Sequence, residues 1–151
     1  MDKNYYLNKI AKLWYAEDGV ATHMSIRNLI HAINNCSSYI ENGDELLERD
    51  VKYELQSILD SKMTKILQED SFKTPDNRKL FAIYQLKSGK NAQRLFAIVN
   101  DLDGYAIGCG YAPEEGYWDQ GIYYGFQSVQ DAADYIRNEY GPTMLIYRKG
   151  E

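Results

Sequence analysis

The spacing of apolar residues changes once along this chain, and that change constrains the fold more than any other feature. Up to residue 70 the apolar side chains recur at helical spacing; from residue 78 onward they come in short dense runs divided by turn residues, the pattern of strands. The change falls at 71–77, where Thr74-Pro75-Asp76-Asn77 is turn chemistry. The expected organisation is a helical subdomain over 1–70, a linker over 71–77, and an antiparallel sheet plus helix over 78–151. A chain of 151 residues is one domain or two small subdomains, and it is long enough to bury a core without disulfide or metal staples.

Three helices are expected first. Tyr6, Ile10, Leu13 and Trp14 form one stripe, stopped by Gly19. Ile26, Leu29, Ile30, Ile33, Ser37 and Ile40 form the second, with Thr22 or Ser25 as N-cap and Gly43 as terminator. Asp44 caps a third, longer helix whose stripe runs through Leu47, Val51, Leu55, Ile58, Leu59, Met63, Ile66 and Leu67. Its first turn carries Glu45 and Glu48, where the helix dipole favours negative charge.

Strands follow at Lys79–Lys87, Arg94–Asn100, Tyr105–Tyr111 and Gly121–Phe126, joined by short links that favour an antiparallel meander. The first two are apolar on both faces, with Leu80, Ala82 and Tyr84 on one and Phe81 and Ile83 on the other, as in strands covered on both sides. Ser128 opens a last helix with the stripe Val129, Ala132, Ala133, Ile136 and Tyr140, closed by Gly141 and Pro142, and Thr143–Tyr147 is a final short strand. The expected fold class is α+β: an N-terminal three-helix segment, then an antiparallel four- to five-stranded sheet backed by a C-terminal helix.

No apolar run approaches the roughly 20 residues that span a bilayer, and the first residues lack the basic-then-apolar order of a signal peptide. Cys36 and Cys109 lie far apart and form no CxxC pair, so a reducing cytoplasm with both thiols buried is expected.

Charge is uneven. Five bases and no acid lie between Arg78 and Arg94; eight acids and one base, Arg137, lie between Asp101 and Glu139. Either these are two solvated surfaces, or the acidic one meets a basic partner. Fourteen tyrosines stand against six Phe and Trp together, and eight of them lie between Tyr105 and Tyr147. The loop from Tyr111 to Gly121 interleaves acids with large rings. Its candidate partner-binding residues are Glu114, Glu115, Tyr117, Trp118 and Asp119, with Tyr123 just beyond. Carboxylates repel phosphates and suit a Lys/Arg-rich protein surface, such as that of a nucleic-acid-binding protein. The competing reading folds these rings back onto the sheet. Lys79, Lys87, Lys90 and Arg94 are the candidate contact should the chain itself bind nucleic acid.

Enzymatic readings find little material. Two histidines, His23 and His31, are badly spaced for a shared metal, and Asp101-Leu102-Asp103-Gly104 reads as a hairpin turn with too few ligands for calcium. Gly108-Cys109-Gly110 could expose a nucleophilic thiol, but Cys109 shares a strand face with Tyr105, Ile107 and Tyr111, which places it in a core. No phosphate loop, dinucleotide fingerprint or nucleophile elbow is present, and no cofactor is expected. A helix-turn-helix reading puts Asp44, Glu45 and Glu48 where DNA contacts would lie.

The stretch Gly116-Tyr117-Trp118-Asp119-Gln120-Gly121-Ile122-Tyr123-Tyr124-Gly125-Phe126, followed by Asp131-Ala132-Ala133-Asp134-Tyr135-Ile136, resembles segments of small acidic accessory proteins carried on mobile elements of Firmicutes, anti-CRISPR proteins among them. The resemblance is one of style, short, acidic and tyrosine-rich. It implies a non-catalytic inhibitor of a host-defence protein and transfers no functional residue.

Overall fold

Helices begin where a side-chain oxygen accepts an N–H of the first turn. Asp2 accepts from Tyr5 N at 3.0 Å and opens α1 (Lys3–Leu13). Ser25, rather than Thr22, accepts from Asn28 N at 3.1 Å and opens α2 (Ile26–Asn34). Asp44 accepts from Leu47 N at 3.1 Å and opens α3 (Glu45–Gln68), and Ser128 does the same for α4 (Val129–Tyr140) through Asp131 N at 3.0 Å. The structure, a computed structural model, describes residues 2–69, 71–87, 92–111, 113, 118 and 123–149. It divides into two units, Met1–Asp70 and Ser71–Glu151.

In the first unit the stripes close on one another. Tyr6 and Ile10 of α1, Ile26, Leu29, Ile30 and Ile33 of α2, and Val51, Leu55, Leu59 and Met63 of α3 are all buried. Each such aliphatic side chain removed from water contributes about 1.5–3 kcal/mol. Leu13, expected on the α1 stripe, is exposed. The second helix is shorter than its pattern suggests. It ends at Asn34, and the chain passes through 3₁₀ turns at Cys36–Tyr39 and Glu41–Gly43. Local side-chain bonds compete with the helix there: Asn35 Nδ2 donates to His31 O at 2.7 Å, and Ser38 Oγ donates to Asn35 O at 2.7 Å.

The second unit is a five-stranded sheet with α4. The strands are β1 (Leu80–Leu86), β2 (Leu95–Asp101), β3 (Gly104–Gly110), β4 (Tyr123–Phe126) and β5 (Thr143–Arg148), in spatial order β4-β3-β2-β1-β5. All neighbours are antiparallel. The first four strands are the expected meander; α4 then carries the chain back across the sheet, so that β5 lines the free side of β1.

One face, holding Ala82, Leu86, Phe96, Ile98, Ile107 and Cys109, packs on Ala132, Ala133 and Ile136 of α4. The other face holds Ala97, Val99 and Ala106, covered by Phe72, Leu80 and Trp118. Phe81 and Leu80 exchange the faces that strict alternation assigns them. A bulge between Leu80 and Ala82 turns Phe81 toward the α4 side with Ala82 and leaves Leu80 on the other. Residues 72–75 belong to this covering layer: a Cβ on Gly108 would lie 2.3 Å from Pro75 Cγ, so the proline sits directly on the strand.

Candidate functional site

The acidic stretch of the second unit has two parts. Glu114, Glu115, Tyr117 and Asp119 lie outside the described residues, as does the side chain of Tyr123. Trp118 is described, and it is turned inward. Its Nε1 donates to Lys73 O at 2.8 Å, its ring lies 5.7 Å from that of Phe72, and it packs against Ala97, Val99 and Ala106. The adjoining Pro113 is buried, and its carbonyl accepts from Lys73 N at 2.9 Å. Trp118 is thus half-buried, with one side of its ring against the sheet.

The acids of α4 are the other part. The stripe Ala132, Ala133 and Ile136 faces the sheet, which turns Asp131 and Glu139 to solvent. Arg137 Nη2 donates to Asp134 Oδ1 at 2.7 Å, and Gln130 Nε2 donates to the same oxygen at 2.9 Å. Among the described residues no cation pairs with Asp131 or Glu139. The outer side of α4 thus carries a net negative surface.

Of the bases of the alternative site, Lys87 and Arg94 flank the β1–β2 connection, where Leu86 N donates to Arg94 O at 2.9 Å, and Lys79 stands at the other end of β1. Lys79 precedes β1 and Lys87 follows it, which separates them by roughly 25 Å at the rise of a strand. The Arg94 guanidinium lies over the ring of Tyr111, 5.5 Å from its centre, and Lys90 is outside the described residues. The basic residue that comes to Lys79 is instead Lys149, from the far end of the chain. Their ammonium nitrogens lie 5.5 and 5.6 Å from the centre of the same Phe81 ring. The Lys79 amine beside it is the main cause that holds the Lys149 amine below the ordinary lysine range, with desolvation second. Sequence reasoning missed Lys149 because only the pairing of β5 with β1 brings it there.

The thiols and imidazoles are accounted for by local packing. Cys109 is buried between the sheet and α4 among Ala82, Phe96 and Ile107. Cys36 is buried in the helical unit, and burial, then the Glu48 carboxylate, push its thiol up to about 11, far from the thiolate a nucleophile needs. His31 stacks on Trp14 with ring centres 5.6 Å apart, and His23 Nδ1 lies 2.6 Å from Asp18 Oδ2. Asp101 makes the β2–β3 turn, accepting from Leu102 N at 2.8 Å and pairing with Arg78 at 3.3 Å. Among the described residues no three His, Cys, Asp or Glu side chains gather as they would around a metal ion, and no helix is long and apolar enough to cross a membrane.

The chain matches no protein-family model, and no curated protein or solved structure is significantly similar to it.

Proposed function

We propose that this chain is a non-catalytic protein-binding module, a stoichiometric inhibitor of a basic, nucleic-acid-binding host-defence protein such as a CRISPR effector. The single observation that carries the reading is the outer side of α4, where Asp131 and Glu139 stand in solvent without a cation among the described residues. An unneutralised acidic surface on a rigid helix speeds encounter with a cationic protein and selects against acidic ones. The segment 114–119 adds Glu114, Glu115 and Asp119 to the same unit, with Tyr117 as the ring contact.

A titration tests this. The purified chain is added to a CRISPR effector nuclease from Firmicutes loaded with its guide, and target cleavage is followed. Cleavage is expected to fall linearly and reach its floor near about one molar equivalent, as tight binding requires. Undiminished cleavage at large excess, or complete loss at a small fraction of an equivalent as an enzyme would cause, overturns the proposal.

A further inference from the structure

The Arg78-Lys79 pair leads into β1, and the Arg148-Lys149 pair leads out of β5. Because β1 and β5 are antiparallel, these two dibasic pairs, distant in sequence, arrive at the same end of the sheet. The backbone fixes them there: Lys149 N donates to Phe81 O at 2.9 Å, Asn100 N donates to Lys79 O at 3.0 Å, and Lys79 N donates to Asn100 Oδ1 at 2.7 Å.

Two of the acids at this end of the sheet, Asp101 and Asp76, are already engaged. Arg78 lies 3.3 Å from Asp101 and 3.9 Å from Asp76. Among the described residues no carboxylate pairs with Lys79 or Lys149. Both amines lie over Phe81, whose other contact is the edge-on ring of Tyr105 at 5.1 Å. Cover for an apolar ring explains the aliphatic stems of the lysines. It does not explain two mutually repelling ammonium groups gathered over one ring in a chain whose net charge is -5. An anion that accepts from both amines would relieve that repulsion, and lysine serves phosphate as a mobile point charge.

We propose that Lys79 and Lys149, seated over Phe81 at the joined ends of β1 and β5, form a phosphate-binding site. The site is distinct from the acidic side of α4 and does not depend on the inhibitor reading. A phosphate can reach it on a small molecule or in the backbone of a nucleic acid, and the experiment separates the two.

The full chain is titrated with inorganic phosphate at constant ionic strength, with chloride as the control anion, while side-chain and backbone NMR signals of Lys79, Phe81 and Lys149 are followed. A labelled single-stranded DNA 12-mer is titrated in parallel by fluorescence anisotropy. Phosphate is expected to shift these signals where chloride does not. K79Q and K149Q are each expected to weaken binding by about fivefold or more, as loss of a charge-assisted bond does. K79R and K149R retain most of it, and K65Q, on α3, leaves it unchanged. If backbone phosphate is the source, the 12-mer binds more tightly than inorganic phosphate, and each Lys→Gln change lowers its salt slope by about 0.7. If small molecules are the source, phosphate binds and the 12-mer does not. Absence of binding by both probes overturns the proposal. So does binding that K79Q and K149Q leave intact, or that K65Q weakens equally. The thermal midpoint of each variant separates lost binding from lost folding.

Discussion

The two units use their aromatic residues differently. In the helical unit the core is aliphatic, with Tyr6 the one buried ring among the described residues, while Tyr15 and Tyr53 are 83% and 73% exposed. In the sheet unit Phe96 is the one ring buried among the described residues, and half-buried rings close the edge of the core around it. Phe96 meets Tyr140 at 4.8 Å, Phe126 meets Tyr135 at 5.2 Å, and Phe81 meets Tyr105 at 5.1 Å. Helix stripes interlock closely enough for branched aliphatics, whereas a single helix laid across a twisted five-stranded sheet leaves gaps at its flanks that large rings close. Packing against this core accounts for Tyr105, Tyr135 and Tyr140.

The largest expected effects test that division of labour. Phe96→Ala removes a fully buried ring at the centre of the sheet and should cost about 3–5 kcal/mol, against about 2–5 kcal/mol for Leu55→Ala in the helical unit. Denaturant unfolding combined with amide exchange in each unit measures both; a loss below 1 kcal/mol for Phe96→Ala would remove the aromatic core from the account. Gly108→Val comes next. Its Cβ would meet Pro75 Cγ at 2.3 Å, and overpacking of that kind costs about 1–3 kcal/mol, read as a lowered denaturation midpoint.

Trp118→Phe sharpens the distinction between a structural ring and a docking ring. The variant keeps an aromatic surface but loses the 2.8 Å bond to Lys73 O, and about 1 kcal/mol of stability should go with it. Unchanged stability with weakened partner binding would return Trp118 to the role of anchor.

The smallest effect concerns pH and belongs to the helical unit. Burial, then the Arg27 charge, holds His31 below the ordinary histidine range in the folded chain. On acidification the unfolded chain therefore takes up its proton first, starting near pH 6.5. Stability is unaffected above that point and declines below it, until the folded imidazole also titrates. His31→Phe keeps the stack on Trp14 and should flatten the decline, which thermal melts between pH 7 and 5 would show.

Much of this architecture was legible in the sequence. Asp44 and Ser128 announce their helices by side-chain chemistry alone, and the runs from Leu80 onward announce strands, because both signals are local. What was not legible depends on partners distant in the chain. Alternation along β1 gave no sign of the bulge after Leu80. The Ile26–Ile40 stripe ran on past Asn34 because periodicity does not register the Asn35 and Ser38 side chains bonding to the backbone. For the candidate sites the same division holds. The excess of acid was visible by counting, but the inward turn of Trp118 and the meeting of Lys79 with Lys149 follow from strand order, which local spacing does not encode.

The central claim is that the carboxylates of the sheet unit dock on a cationic protein. Charge reversal at Glu114, Glu115, Asp119, Asp131 and Glu139 tests it most directly, with binding to the guide-loaded effector measured by biolayer interferometry and the thermal midpoint measured alongside. The account predicts at least a hundredfold weaker binding, about 3 kcal/mol, at a nearly unchanged midpoint. Undiminished binding by the reversed chain would contradict it.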